Sequence, residues 1–404
     1  MRIILSRTNG DALQHFAAFL TSSTAACTAL PLGFPPAIDY IRELRISDPF
    51  RSNISNPSAI RPQQDPEEIY YIPDSLPEHT MSDLEFILAA LPCLQALNLD
   101  ISLGVGKGLS GAIKPISLDR LTINVDSDLS VMLRLFSSIR TLHLIAPMNE
   151  MPLPQSMPLI DTRSPLHVGN LVIGTRVLRK CYAEALMIMS SMIAVESVVK
   201  IESEVQKDWS VFGGMMSSGG FTNSKHLMIN LQAYELSGLV PNFACVSLEP
   251  LHSLTSIVLN GFGVTIPPRI SHSPIPSPRL TKPPFNLLST TINTWFPPPS
   301  TLSSLAVEIL FRGPSGRLEP TDVIDFLRYA VNDADWARIE EGLMLWNGLQ
   351  TILFNCYYLA SLSPPGAMKV DDVKMRMKMQ EIFDEKLSRL RCRCAVQVEF
   401  KPVR

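Results

Sequence analysis

Three groups of residues in this 404-residue chain have types and spacings that could do chemistry. The first is Gly106-Lys-Gly108-Leu-Ser-Gly111, a G-x-G-x-x-G string just beyond the apolar stretch Leu97–Ile101, with Asp126 some way downstream. Such a loop holds a dinucleotide pyrophosphate when a helix starts at it, because the helix amino terminus offers unpaired N–H groups. Here Pro115 follows shortly after Gly111 and a strand is expected from Leu118, so no crossover helix fits. A turn between two strands accounts for the glycines. The only Gly-Lys pair, Gly106-Lys107, lacks the flanking residues of a P-loop. An α/β enzyme with a nucleotide loop at Gly106–Gly111 is therefore the alternative reading. The second group is the histidines, His15, His79, His143, His167, His226, His252 and His272, which include no H-E-x-x-H pair. The third is Cys392-Arg-Cys394, expected on one face of a strand running from Arg391 to Phe400. Four ligands are needed for a structural zinc, and no second cysteine pair or nearby histidine completes them. With no G-x-S-x-G elbow either, the expectation is no catalytic, cofactor-binding or metal-ligating residues and no cofactor.

Charge and composition narrow the partners. Thirty-five basic residues against thirty-eight acidic ones leave a net charge of −3, too little to attract nucleic acid or an anionic membrane. The amino-terminal Met1–Arg7 holds three apolar residues between two arginines, shorter than a secretory signal requires. The most apolar helical stretch, Ala185 to Val195, is shorter than a membrane span. Seven dispersed cysteines read as reduced thiols. An intracellular protein, cytoplasmic or nuclear, is expected.

Stepping from single residues to elements, internal repetition dominates. Leu91-x-x-Leu94-x-x-Leu97-x-Leu99 recurs as Leu251-x-x-Leu254-x-x-Ile257-x-Leu259. Looser copies are Ile41-x-x-Leu44-x-Ile46, Leu118-x-x-Leu121-x-Ile123, Ile139-x-x-Leu142-x-Leu144 and Leu166-x-Val168-x-x-Leu171-x-Ile173. Leu302-x-x-Leu305-x-Val307-x-Ile309 and Trp346-x-x-Leu349-x-x-Ile352-x-Phe354 follow. A spacing of three that becomes a spacing of two is a tight turn entering a short alternating strand. The gap from Leu171 to Ile257 leaves room for degenerate strands at Val199-x-Ile201 and Leu227-x-Ile229-x-Leu231.

Helices are expected between these strands. Ser82-Asp-Leu-Glu85 reads as a capping box ahead of Phe86–Leu91, and Asp128 precedes Leu129–Phe136. Further helices are expected over Arg176–Met192, Val323–Ala330, Trp336–Leu345 and Asp371–Arg391. The last is expected to bury Val373, Met377, Phe383, Leu387 and Leu390 on one face. Gly213–Gly220 is expected to be a flexible loop, and Pro267–Pro299, with ten of the 33 prolines, an extended solvated segment. The organisation predicted is an amino-terminal helical cap over 1–37 and a repeat region over 38–400, with insertions at 48–77, 205–222 and 262–300. The fold class predicted is α/β, a solenoid with parallel inner strands and outer helices. Residues between the paired apolar positions face away from the core, as does Asn124 just past its pair, so Asn98, Thr122, Asn124, His143 and Val258 are the candidate binding residues of its concave face.

These phrases resemble leucine-rich repeats over most of residues 38–400. More narrowly, Asp335-Trp-Ala-Arg-Ile-Glu-Glu-Gly-Leu343, Leu349-Gln-Thr-Ile-Leu-Phe354 and the closing Val396-Gln-Val-Glu-Phe400 resemble irregular repeat proteins numerous in mushroom-forming fungi, many of them F-box proteins. The resemblance implies a protein-interaction scaffold that recruits substrates to a ubiquitin ligase, with ligase components as partners. No L-P-x-E-[LI] F-box string precedes the first repeat, Leu76-Pro-Glu78 being the nearest. The asparagine expected three residues past each leucine pair is replaced by Ser102, Asp126, Pro147 or Phe262. Without it the turn backbone must find other partners. A structural remnant with no partner is a further alternative.

Overall fold

The structure of the protein, a computed structural model, describes residues 1–6, 12–28, 37–47, 79–100, 115–125, 127, 129–146, 164–202, 208–237, 241, 243–265, 284–295, 298–312, 320–330, 333–359 and 372–403. The chain divides into two compact units, Met1–Glu196 and Ser197–Arg404. The first contains β1 (Arg2–Ser6), β2 (Glu43–Ser47), β3 (Ala96–Asp100), β4 (Ile116–Asn124), β5 (Phe136–Ile145) and β6 (Leu166–Ile173). Its helices are α1 (Ala12–Thr28), α2 (His79–Ala90), α3 (Leu129–Leu133) and α4 (Ala183–Met192). Strand β7 (Ile193–Ile201) runs across the division. The second unit contains β8 (His226–Asn230), β9 (Ser256–Thr265), β10 (Ser304–Arg312), β11 (Thr351–Leu359) and β12 (Ala395–Val403). Its helices are α5 (Trp209–Ser217), α6 (Gln232–Ser237), α7 (Pro284–Thr294), α8 (Pro320–Asp325), α9 (Asp333–Met344), α10 (Asp372–Lys386) and α11 (Ser388–Arg391).

Both units are α/β with parallel strands in chain order. In the first, β1 to β6 each pair with the next. In the second, β7 to β12 do the same. The leucine pairs set the register. Leu44, Leu97, Leu121, Leu142 and Leu171 are consecutive cross-strand partners, and so are Val199, Leu227, Ile257, Leu305, Ile352 and Val396. All of these are buried. Each contributes roughly 1.5–3 kcal/mol of apolar burial. The strands expected at Val199–Ile201 and Leu227–Ile229 are β7 and β8.

A backbone relay links the entry ends of neighbouring strands, at the opposite end from the turns where the asparagines are absent. Two residues before the first leucine of a pair, one carbonyl accepts N–H groups from the following strand. The Arg42 carbonyl accepts Gln95 and Ala96, both at 2.9 Å, and the Gln95 carbonyl accepts Asp119 at 2.8 Å and Arg120 at 3.1 Å. In the second unit the Lys225 carbonyl accepts Thr255 and Ser256, Thr255 accepts Ser303 and Ser304, and Ser303 accepts Gln350 and Thr351. Gln350 then accepts Ala395 at 2.8 Å.

Several expectations are corrected. The amino-terminal segment is not wholly helical, since β1 precedes α1 and pairs with β2. Helix α2 starts at His79, so Ser82 lies inside it rather than capping it. The helix expected from Arg176 starts at Ala183, because Arg176 has φ of 65° and cannot continue a right-handed helix. Gly213–Gly220 is no flexible loop: Asp208 caps α5 by accepting Ser210 N–H at 3.0 Å, and the helix runs through Gly213 and Gly214. A Cβ on Gly213 would lie 2.4 Å from the Cys245 carbonyl oxygen, so the small residue permits packing. Within the proline-rich stretch, α7 occupies the proline-free window after Pro284, which sits at the helix start where its missing N–H costs nothing. Phe383, Leu387 and Leu390 are buried as expected, but in the first half of α10 Met375 and Met379 are buried, whereas Val373 is 61% exposed and Met377 59%. Only there is the apolar face offset by two residues from the row expected. Neither Cys392 nor Cys394 lies in the strand expected to hold both, because β12 begins only at Ala395; Cys392 is exposed just past α11 and Cys394 is buried. The segments 48–77 and 101–114, including Gly106–Gly111, lie outside the described residues. Among the described residues no helix is long and apolar enough to cross a membrane.

Two glycines separate conformational strain from crowding. Gly261 has φ of 92° in a bulge of β9, where a Cβ would lie 2.4 Å from Gln232 N; Gly219 has φ of 87° with nothing nearby. Gly219→Ala is expected to cost about 1–2 kcal/mol and Gly261→Ala clearly more, measured as denaturant midpoints of the two variants. The relay predicts a second contrast. Gln350→Pro removes the N–H given to the Ser303 carbonyl and is expected to cost about 3 kcal/mol, against less than about 0.5 kcal/mol for Gln350→Ala, by the same measurement.

Candidate functional site

The entry ends of β4, β5 and β6, together with Glu196 of β7, line an open groove of about 430 Å³ within the first unit. Its position follows from the register. Ser117, Ser138 and His167 precede the buried residues Leu118, Ile139 and Val168, respectively, and are cross-strand partners in series. The residue after each of these is Asp119, Arg140 or Gly169. A Cβ on Gly169 would lie 2.7 Å from the Arg140 carbonyl oxygen, so no side chain fits at this position without a shift.

The polar groups of the groove are organised in pairs. Glu196 Oε1 lies 2.7 Å from His167 Nδ1, which fixes the imidazole with Nε2 left for a ligand. The Ser138 hydroxyl donates to Ser117 Oγ at 2.9 Å, and Ser117 Oγ is also 2.9 Å from Ser137 Oγ. Arg140 Nε is 3.5 Å from Asp119 Oδ1. Both ion pairs are solvent-exposed, so each is worth about 0–1 kcal/mol to stability. Their value is in what they present: hydroxyls, an imidazole and a guanidinium that can hydrogen-bond a polar chain laid across the strands. No motif in the sequence marks this set. Its signal lies in the positions just before and after Leu118, Ile139 and Val168.

The five residues expected to bind are distributed differently. Asn98, Thr122 and His143 are cross-strand partners on the face away from the leucine pairs. Asn98 and His143 are half-buried, but Thr122 is 7% exposed and Asn124 only 1%, which removes these two from direct contact. Val258 belongs to the second unit, in a half-buried row with Met228, Ala306 and Leu353. Farther along those strands the face becomes charged, with Glu308 and Glu399 on either side of Asn355, and Tyr357 beside Lys401. Burial pushes the Glu308 carboxyl above its ordinary range. Burial and then the Glu308 carboxylate push the Tyr357 hydroxyl up, with Lys401 opposing.

Other chemistry-bearing residues stand apart. Burial drives the Cys356 thiol well above the ordinary thiol range, which keeps it protonated and unreactive. The basic residues at the carboxyl end do not form one patch: Arg391 pairs with Asp384 at 3.2 Å, while Arg393 bonds the Met344 carbonyl and Asn347 Oδ1. Among the described residues no group of three or more histidine, cysteine or acidic side chains could hold a metal ion. No family model matches the chain, and no curated protein matches it.

The Glu308 environment carries a pH prediction. A carboxyl whose folded pKa lies above its unfolded one binds protons more readily in the folded state. Its contribution to stability is therefore lost as pH rises from the unfolded value through the folded one. Glu308→Gln is expected to raise the melting temperature at pH 7 and to leave it unchanged below the ordinary carboxyl range, read by thermal melts at both pH values.

Proposed function

We propose that the protein is a non-enzymatic protein–protein interaction scaffold, a leucine-rich-repeat-like solenoid of the substrate-recognition type found among F-box proteins. The observation that carries this reading is the register. Each repeat of the leucine pair forms a parallel strand whose pair aligns with that of its neighbour. Repetition of one strand-and-turn unit is how solenoids build extended binding surfaces. Two features support a protein as the partner. The groove at Ser117, Ser138, His167 and Arg140 offers donors and acceptors spaced by adjacent strands, about 4.8 Å apart, which suits an extended polypeptide. The row Met228, Val258, Ala306 and Leu353 offers partly exposed apolar surface. Ubiquitin-ligase components are the partners the reading implies.

The test uses the full chain as bait in cells, beside Ser138→Arg and His167→Glu. Each substitution places a large or charged group in the groove without touching the buried leucine pairs. Variants with the wild-type melting temperature are expected to lose specific partners by about tenfold, equivalent to about 1.4 kcal/mol. A ligase subunit is expected among the proteins recovered by the wild type. Unchanged recovery with both variants counts against the groove. A melting shift caused by a nucleotide would favour the enzyme reading instead.

A further inference from the structure

Strand β12 pairs with β11 along one side, and its other side is the last edge of the second unit's strand series. The Ala395 N–H points to the β11 side, where it donates to the Gln350 carbonyl. Backbone groups alternate along a strand, so those of Val396, Val398, Phe400 and Pro402 point to the outer edge. Such an edge is a template for another strand.

One side chain of α10 occupies that template. Gln380 Nε2 donates to the Val396 carbonyl at 2.8 Å, and Gln380 Oε1 accepts the Val398 N–H at 2.8 Å. A parallel neighbouring strand would form this same pair of bonds, one donated and one accepted by a single residue opposite Gln397. The carboxamide takes the place that a backbone residue of a neighbouring strand would occupy, and among the described residues no strand pairs with this edge. Its orientation is fixed by more than β12. Gln380 Nε2 also lies 2.9 Å from Asp384 Oδ1, and Asp384 is paired with Arg391 Nη1 at 3.2 Å. A flipped amide would oppose two oxygens at once, so this network holds the amide nitrogen toward Val396. Pro402 reinforces the effect from the far end, because its position is one whose N–H would face outward and proline has none.

We propose that Gln380 is an edge seal: its side chain fills the strand-docking site of β12 and prevents the chain from associating through that edge. The occupant excluded is the β12 edge of a second copy. Two such edges related by a two-fold axis present matching donors and acceptors to one another, so self-pairing needs no foreign partner. This inference is independent of the scaffold reading, since it concerns only α10, α11 and β12.

Amide hydrogen exchange on the wild-type full chain tests the seal without any substitution. The Val398 N–H is expected to exchange at least about tenfold more slowly than the Phe400 N–H, although both face outward. Equal rates would overturn the proposal. Gln380→Leu keeps the bulk and removes both bonds. Sedimentation is expected to show concentration-dependent dimers of that variant, reversed by adding Val398→Pro, which deletes the outward donor. A folded Gln380→Leu chain that sediments as the wild type does, or association that Val398→Pro leaves intact, would also overturn it. If Gln380→Leu does not fold, the exchange contrast decides.

Discussion

The parallel register of the leucine pairs is the constraint on which the other features depend. A slip of one residue between neighbouring strands would turn each apolar pair to the opposite face, and every later strand would inherit the error. Two devices hold the register. Leu44, Leu97, Leu121, Leu142 and Leu171 touch in series beneath the first unit, and the corresponding residues do so in the second. At the entries to β2, β3, β4 and β8 to β12, a carbonyl two residues before the preceding strand's pair also accepts N–H groups from the entering strand. The backbone relay needs no particular side chain. That explains how Arg42, Gln95, Lys225, Thr255, Ser303 and Gln350, chemically unlike one another, fill equivalent positions.

The strands were legible in the sequence because their signal is local and repeated. Leucine-x-leucine with a spacing of three ahead of it marks a strand entry even at Val199 and Leu227, where the leading residues have degenerated. Helix faces were less legible. In α10 both Val373 and Met375 belong to plausible apolar rows, and only packing against the strand layer selects the row of Met375, Met379, Ile382 and Phe383. Composition misled where a few residues carried the outcome. Two adjacent glycines did not prevent α5, which gains an Asp208 cap and buries Trp209, Phe212, Met215 and Met216. Trp209 Nε1 then bonds Tyr234 Oη at 2.9 Å and its ring lies 4.4 Å from that of Phe243, so tertiary burial outweighs weak propensity. Ten prolines did not prevent α7, because their positions leave a clear window after Pro284.

The groove was illegible for a different reason. Ser117, Ser138 and His167 are separated by 21 and 29 residues and share no motif, and only the register makes them neighbours. The same applies to Gln380, which the chain places sixteen residues before Val396 and eighteen before Val398. In both cases the informative unit is a row across strands, which a one-dimensional pattern does not display until the strands are aligned.

Such a division of labour has a consequence for the proposed binding surface. Fold stability rests on the apolar pair and on backbone carbonyls, at roughly 1.5–3 kcal/mol for each buried apolar side chain. The groove side chains sit at the flanking positions and hold exposed pairs worth about 0–1 kcal/mol each. Substitution of Asp119, Arg140, His167 or Glu196 therefore leaves the register in place while changing what lies across the strand entries. Gly169 is the exception, since a side chain there would collide with the Arg140 carbonyl. A surface that can vary at each of these positions except Gly169 without loss of fold would suit the recognition role proposed for it, where specificity comes from a few placed polar groups on a rigid support.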